Sequence, residues 1–240
     1  MIFDGTDLAA YMRTSVCRPL MPSPDVGTVS VPGKDGFEVS HVRIKSFEVP
    51  VKCLIQPHSP LTVAEGVIAA DELKHRIAAL LFRREKRPLV FDSDPTRYCM
   101  AIVTGVSDIK RTAYVDECTV TFLCEPVFYG PLLERTISSG SNGLSIGGTE
   151  PTWPTVEVVA ASAVSSIAVT DEASGEFVRV DASYAKGTVL RLDMAAKRAT
   201  LNGADAAVVI TSDFWRLSPG RCSVKLSSGS GTIRYREAWL

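Results

Sequence analysis

The chain has 240 residues, 45% of them apolar and 8% aromatic, enough to build a substantial core in one or two domains. Charge is nearly balanced at −1, with 16 basic and 17 acidic residues up to Arg135 and 10 of each beyond it. That excludes an overtly nucleic-acid-binding domain, which needs a basic excess against the phosphate backbone, and no run is long and apolar enough for a membrane span.

The start, Met1-Ile2-Phe3-Asp4-Gly5, puts an acid where a signal peptide has positive charge, so the sequence reads as a chain made and folded in the cytosol. Six scattered cysteines (17, 53, 99, 118, 124, 222) contain no C-x-x-C pair. Cys118 and Cys124 share one strand face, roughly 20 Å apart and too far for a disulfide, so the cysteines read as small buried hydrophobes.

In chain order, the stretch from Gly27 to Gly33-Lys34 has the flavour of a phosphate loop. Its glycine falls one residue late, however, and Asp35 stands where Ser or Thr is needed, so it reads as a turn between strands. Phe47, Val49, Val51, Cys53 and Ile55 then occupy every second position of a strand, and Pro50 within it predicts an edge or a bulge. Thr62-Val63-Ala64-Glu65 has capping-box spacing, and Leu73, Ile77, Leu80 and Leu81 follow at helical intervals. The pattern predicts one helix of about 20 residues packed on a sheet, with the run Arg83-Arg84-Glu85-Lys86-Arg87 in its last turn and Pro88 preventing continuation. Leu89-Val90-Phe91, then Tyr98, Met100 and Ile102, then Cys118, Val120, Phe122 and Cys124 read as further strands.

Composition changes at Ser138, where Ser-Ser-Gly-Ser-Asn-Gly-Leu-Ser-Ile-Gly-Gly-Thr reads as a linker. Beyond it only short strands and turns are predicted. The turns fall at Asp171–Gly175, after Leu192, at Asn202-Gly203 and at Pro219-Gly220. A last one, Ser227–Gly231, separates Cys222, Val224 and Leu226 from Ile233 and Tyr235. The expected architecture is mainly β: an N-terminal β-sandwich or curled sheet with one long helix (residues 1–135), a Gly/Ser-rich linker (136–150) and a C-terminal β-sandwich (151–240).

No chemistry-bearing constellation emerges. His41, His58 and His75 are isolated, and no paired Cys/His spacing supports zinc. Asp92-Ser93-Asp94 could open a calcium loop, but Thr96 and Arg97 stand where oxygen ligands and a glycine belong, so it reads as a turn. There is no G-x-S-x-G elbow, and Gly140-Ser141-Asn142-Gly143 opens no helix. No catalytic, cofactor or metal residue is therefore assigned, and the Arg83–Arg87 run reads as a solvated helix end. The aromatic residues Trp153, Phe177, Tyr184, Phe214, Trp215, Tyr235 and Trp239 would suffice for a small glycan site. Trp153 between prolines, and Trp215 and Trp239 in packed strand ends, instead read as packing wedges.

Two sets of segments resemble a known family. Tyr98-Cys-Met-Ala-Ile-Val-Thr-Gly-Val is followed by Thr119-Val-Thr-Phe-Leu-Cys-Glu-Pro-Val-Phe-Tyr-Gly130. Toward the C-terminus come Leu190-Arg-Leu-Asp193, Leu201-Asn-Gly203, Ser212-Asp-Phe-Trp-Arg-Leu-Ser-Pro-Gly220 and Ile233-Arg-Tyr-Arg-Glu-Ala-Trp-Leu240. In order and spacing these, with Val31-Pro-Gly-Lys-Asp-Gly36 and Pro88-Leu-Val-Phe, resemble the distal tail proteins of phages with long non-contractile tails. The resemblance covers most of the chain from Val26 onward.

The resemblance implies a non-enzymatic hub at a phage or prophage tail tip, assembled in the host cytoplasm as a ring, a hexamer, through the N-terminal domain. It implies tail-tube, baseplate and receptor-binding proteins as partners, without nucleic-acid binding or membrane insertion. It also implies a jelly-roll-like C-terminal domain of galectin or carbohydrate-binding-module type, which leaves a host surface glycan as an open ligand. A glycan-binding module without catalysis is the rival reading, but a helix-bearing N-terminal domain is superfluous to sugar binding. The residues add a reason for head-to-tail contact: an edge at Phe47–Ile55 would leave backbone N–H and C=O groups for a neighbour.

Overall fold

A computed structural model describes residues 1–56, 63–112 and 115–240. Alternation produces a mainly β chain, with strands over 61% of it and, among the described residues, a single α-helix. The chain divides into two units, Met1–Phe128 and Tyr129–Trp239. The boundary thus falls seven residues before the expected 135, inside the long strand Val115–Ile146, which supplies residues to both units.

The sheet of the first unit runs, from one side to the other, through Arg13–Val16, Phe47–Ile55, Val115–Ile146, Asp94–Val106, Arg87–Phe91, Ile2–Phe3 and Thr6–Asp7. Phe47–Ile55 buries every second residue, and Val49, Val51 and Cys53 are fully buried against Val120 and Phe122. It is not an edge strand. Asp116–Cys124 pairs along one side of it and Arg13–Val16 along the other. The second ladder stops at Val51, next to Pro50, which has no N–H to give; among the described residues Phe47 to Pro50 have no ladder partner on that side. In Asp94–Val106 the core face is Cys99 and Ala101, while Tyr98 and Met100 lie half-buried on the other side. Small residues point inward there because the large side chains of both neighbouring strands already fill the interior.

The helix spans Val63–Leu81 and buries Ala70, Ile77 and Leu81. Thr62 and His58 lie outside the described residues. The basic run is not in the last turn; the helix stops at Leu81, and Arg87 already belongs to the next strand. The dipole is satisfied differently: Arg83 folds back and its Nη1 donates to the carbonyls of Ala79 (2.8 Å) and Phe82 (2.9 Å).

In the second unit one sheet orders Ala204–Ala206, Arg198–Leu201, Val189–Asp193, Thr155–Val159 and Gly220–Trp239; Val164–Asp171 pairs with Phe177–Tyr184 and again with Gly220–Trp239. The expected turn at Ser227–Gly231 is instead a transfer point. Val224–Leu226 pairs with Val169–Asp171, whereas Ser230–Arg234 pairs with Thr155–Val159. Gly231 makes the crossing possible, since a Cβ there would lie 1.8 Å from the Glu157 carbonyl oxygen. The expected linker is also strand as far as Ile146. Asn142 staples it around Gly140, which stands at φ 100°, accepting from the Ser138 N–H and donating to the carbonyls of Ser138, Gly140 and Val224. The turns at Asp171–Gly175 and Asn202-Gly203 form as expected, with Asn202 and Gly203 both at positive φ.

Candidate functional site

Pro24–Val29 and Glu38–Ile44 pair as a separate two-stranded ribbon, none of whose side chains joins the core of its unit. The chain reverses between them through Val31-Pro32-Gly33-Lys34, with the Lys34 N–H donating to the Val31 carbonyl and Gly33 at φ 82°. What read as a near-miss phosphate loop is this hairpin tip.

An isolated hairpin is marginal in water, so what its faces carry matters. Gly27 pairs with His41 and Thr28 with Val39, leaving Ser40 as the extra residue of a bulge. Ser40 and His41 both lie over the Cα of Gly27, where a Cβ would sit 2.6 Å from Ser40 Oγ and 2.3 Å from His41 Cε1. The bulge therefore shifts parity. Val39 and Val42, three residues apart, come to the same face, together with Val26 and Ile44. These four are 40–61% exposed, and Phe37, two residues before Val39, is 69% exposed. The opposite face carries Asp25, Glu38, Ser40, His41 and Arg43 with Val29, and Asp25 is bridged by Lys45 at 2.9 Å. The result is an amphipathic ribbon whose apolar face meets solvent.

A second apolar surface lies in the same unit. Between the helix and the sheet is a cavity of about 370 Å³ floored by Ile55, Ile77 and Val120. Phe82, Val106 and Ile109, all exposed, form its mouth. Charges hold the helix above it. Asp116, fully buried, receives Arg111 Nε at 2.9 Å and Lys74 Nζ at 2.9 Å, and Asp71 on the helix bonds the same two cations at 2.6 and 2.7 Å. Lys74 and then Arg111 hold the Asp71 carboxyl down at about 2, and Arg111 foremost holds Asp116 below the usual carboxylate range. Arg83 ties the other end of the helix to Asp4 at 2.7 Å.

The cysteines meet across strands. Cys53 faces Cys118 in register, and Cys124 neighbours Cys99, all four buried. The hydrogen bond between the facing thiols of the first pair pushes Cys53 up and holds Cys118 down. The sequence placed Cys118 and Cys124 correctly on one face but could not show their partners, which depend on register.

The remaining sequence candidates do not converge. His41 is exposed on the ribbon and His75 on the helix. Asp94 accepts from Thr96 and Arg97 beside a two-residue turn. Among the described residues no cluster of His, Cys, Asp and Glu could hold a metal ion. In the second unit Trp215, Tyr184 and Tyr235 are buried in the core, Trp215 from an irregular segment rather than a strand end. Trp153 is 39% exposed rather than packed away, and the Arg216 guanidinium lies 5.1 Å from its ring centroid. The polar groove of that unit, lined by Glu157, Arg191, Asp193, Arg198 and Thr200, has no aromatic platform.

Exposed apolar faces and clamped charges, rather than a cluster of reactive side chains, are what the described residues offer, and they are the make-up of a structural component. Family models agree: residues 3–124 match the phage tail protein RIFT-related domain, and residues 147–239 match the siphovirus-type tail component, C-terminal domain. The chain belongs to this family of siphophage tail components. It is 24% identical to the distal tail protein of Bacillus phage SPP1, over all of this chain and 95% of that one. The crystal structure of the SPP1 Dit protein, described as a hub of the adsorption apparatus in phages infecting Gram-positive hosts, superposes with a TM-score of 0.86 at 21% identity, covering 100% of this chain and 98% of that one. A chain of the phage P2 baseplate in its activated conformation matches with a TM-score of 0.50 at 8% identity, over 93% and 90%.

Proposed function

We propose that the chain is the structural hub of a non-contractile phage tail tip, closing into a ring through its N-terminal unit and joining the tail tube to baseplate and receptor-binding proteins. The family membership supports the tail-tip role. The observation that carries the ring is the solvent-facing apolar ribbon.

That face exposes on the order of 300 Å², at the lower end of the largest patches monomers carry. Two ribbons meeting about a two-fold axis would bury roughly 600 Å² in total, and one ribbon against another surface about as much, each below the ~1,000 Å² of a stable specific interface. A contact that uses a different surface on the neighbour leaves each subunit with two interfaces, and repeated by rotation it closes a ring. Burial of the ribbon supplies about 7 kcal/mol gross, a sum that the cost of association largely offsets. A single contact is therefore weak, and closure gives cooperativity. Six is the number that the family resemblance implies. Assembly in the host cytoplasm, before incorporation at the virion tail tip, fits the six unbridged cysteines.

Light scattering with negative-stain microscopy over a range of concentrations, alone and with the adjoining tail protein, tests the reading. Closed rings are expected; only monomers and two-fold dimers under every condition would overturn it.

A further inference from the structure

We infer that the seat of the ribbon is the cavity under the helix of the next copy: the Phe37 end of one chain's hairpin enters the groove mouthed by Phe82, Val106 and Ile109 of its neighbour. The inference rests on the ring reading above and names the two surfaces that meet.

Three observations carry it. The shapes are complementary, since the ribbon is a convex two-stranded tongue and the groove is concave, so the contact joins unlike surfaces as a ring requires. The volumes agree. A cavity of about 150 Å³ holds a benzene ring, so 370 Å³ accommodates the Phe37 side chain with Val39 behind it.

The third observation is charge. Phe37 is flanked by Asp35 and Glu38, whereas Arg83 and Arg84 follow Phe82 and Lys110 follows Ile109. Glu38 is held by Lys34 and Arg83 by Asp4. Among the described residues Asp35, Arg84 and Lys110 form no ion pair, so an acid beside the tongue and cations beside the mouth remain for each other. The ribbon's own core offers no seat, because none of its side chains packs there.

The test uses the full chain with its exposed thiol removed (Cys17→Ser). Copies carrying Asp35→Cys are mixed with copies carrying Lys110→Cys and mildly oxidised; a covalent heterodimer is expected. The double variant should give a ladder of covalent multimers rather than an intramolecular link. Independently, Asp35→Lys and Lys110→Asp should each raise the concentration for half-assembly about tenfold, and the two together should restore it.

Rings without the heterodimer and without charge-swap rescue would overturn the groove assignment while leaving the ring reading intact. Predominant Asp35→Cys homodimers would place ribbon against ribbon and overturn it likewise. Absence of any ring from the unmodified chain would remove the ring reading, and this inference with it.

Discussion

Asp116 shows how a single buried charge shapes the N-terminal unit. Its carboxylate accepts from Arg111 and Lys74 in a site with no solvent exposure, and Asp71 shares both cations, so four side chains fix the helix over the sheet. Asp116→Ala leaves the cations only Asp71 and should cost about 2–3 kcal/mol, read as a lowered urea midpoint. Both carboxyls have folded pKa values below their unfolded ones, near 3.9 for an aspartate. Their contribution is therefore complete above about pH 5 and is lost as the pH falls through 4 toward 2. In Asp116→Ala the fall in stability between pH 5 and pH 3 should be visibly shallower than in the parent; an unchanged slope would dissociate the network from acid sensitivity. The thiols give a second residue-level check. Cys17 is exposed, Cys222 half-buried and the other four buried, so one thiol should react rapidly with a disulfide reagent and four only on unfolding. Rapid native reaction of Cys53 or Cys99 would contradict the packing.

At the scale of elements, the ribbon is the least self-sufficient part and the most informative. Its apolar stripe exists only because the bulge at Ser40 brings Val39 into line with Val42 and Ile44. Substituting Val39 and Val42 together by lysine should leave monomer stability within about 0.5 kcal/mol per site, as surface changes do, while abolishing self-association in sedimentation. Loss of monomer stability instead would mean that the ribbon packs within its own chain. The helix illustrates the converse. Its stripe of Leu73, Ile77 and Leu81 was legible in the sequence, since a period of 3.6 is local, but its end was not. Pro88 suggested a stop near the basic run, whereas Arg83 caps the carbonyls and frees Arg87 and Pro88 for a strand. The stretches Ser138–Ile146 and Ser227–Gly231 read as breaks because glycine and serine dominate them, yet both are strand. In Ser227–Gly231 glycine serves a close approach to the backbone of Val159 and Glu157 rather than a turn, whereas Gly140 supplies a positive φ of 100° in open space.

For the whole molecule, assembly should be governed by apolar burial with charge only at the rim. The concentration for half-assembly should then change less than about threefold between 0.15 M and 1 M sodium chloride. Rim pairs are screened over a Debye length that shrinks to about 3 Å, while apolar burial is not. A collapse of assembly at high salt would shift the main contact to the charged residues around the groove.

What the sequence determined by itself was whatever depends on neighbours along the chain. Alternation in Phe47–Ile55, the helical stripe, the turns at Asp171–Gly175 and Asn202-Gly203, and the charge balance that disfavours nucleic acid all belong here, because a side chain's face follows from local backbone period. Tertiary structure alone decided which strands pair with which. It placed Phe47–Ile55 between two partners rather than at an edge, set Cys53 opposite Cys118, and passed Gly220–Trp239 from one set of strands to another. It also decided the ribbon, whose valines fall out of period in the sequence and come onto one face only when a cross-strand register absorbs Ser40. Register is a contest among distant pairings, and the winner is chosen by how well the buried faces fit, which no local pattern contains.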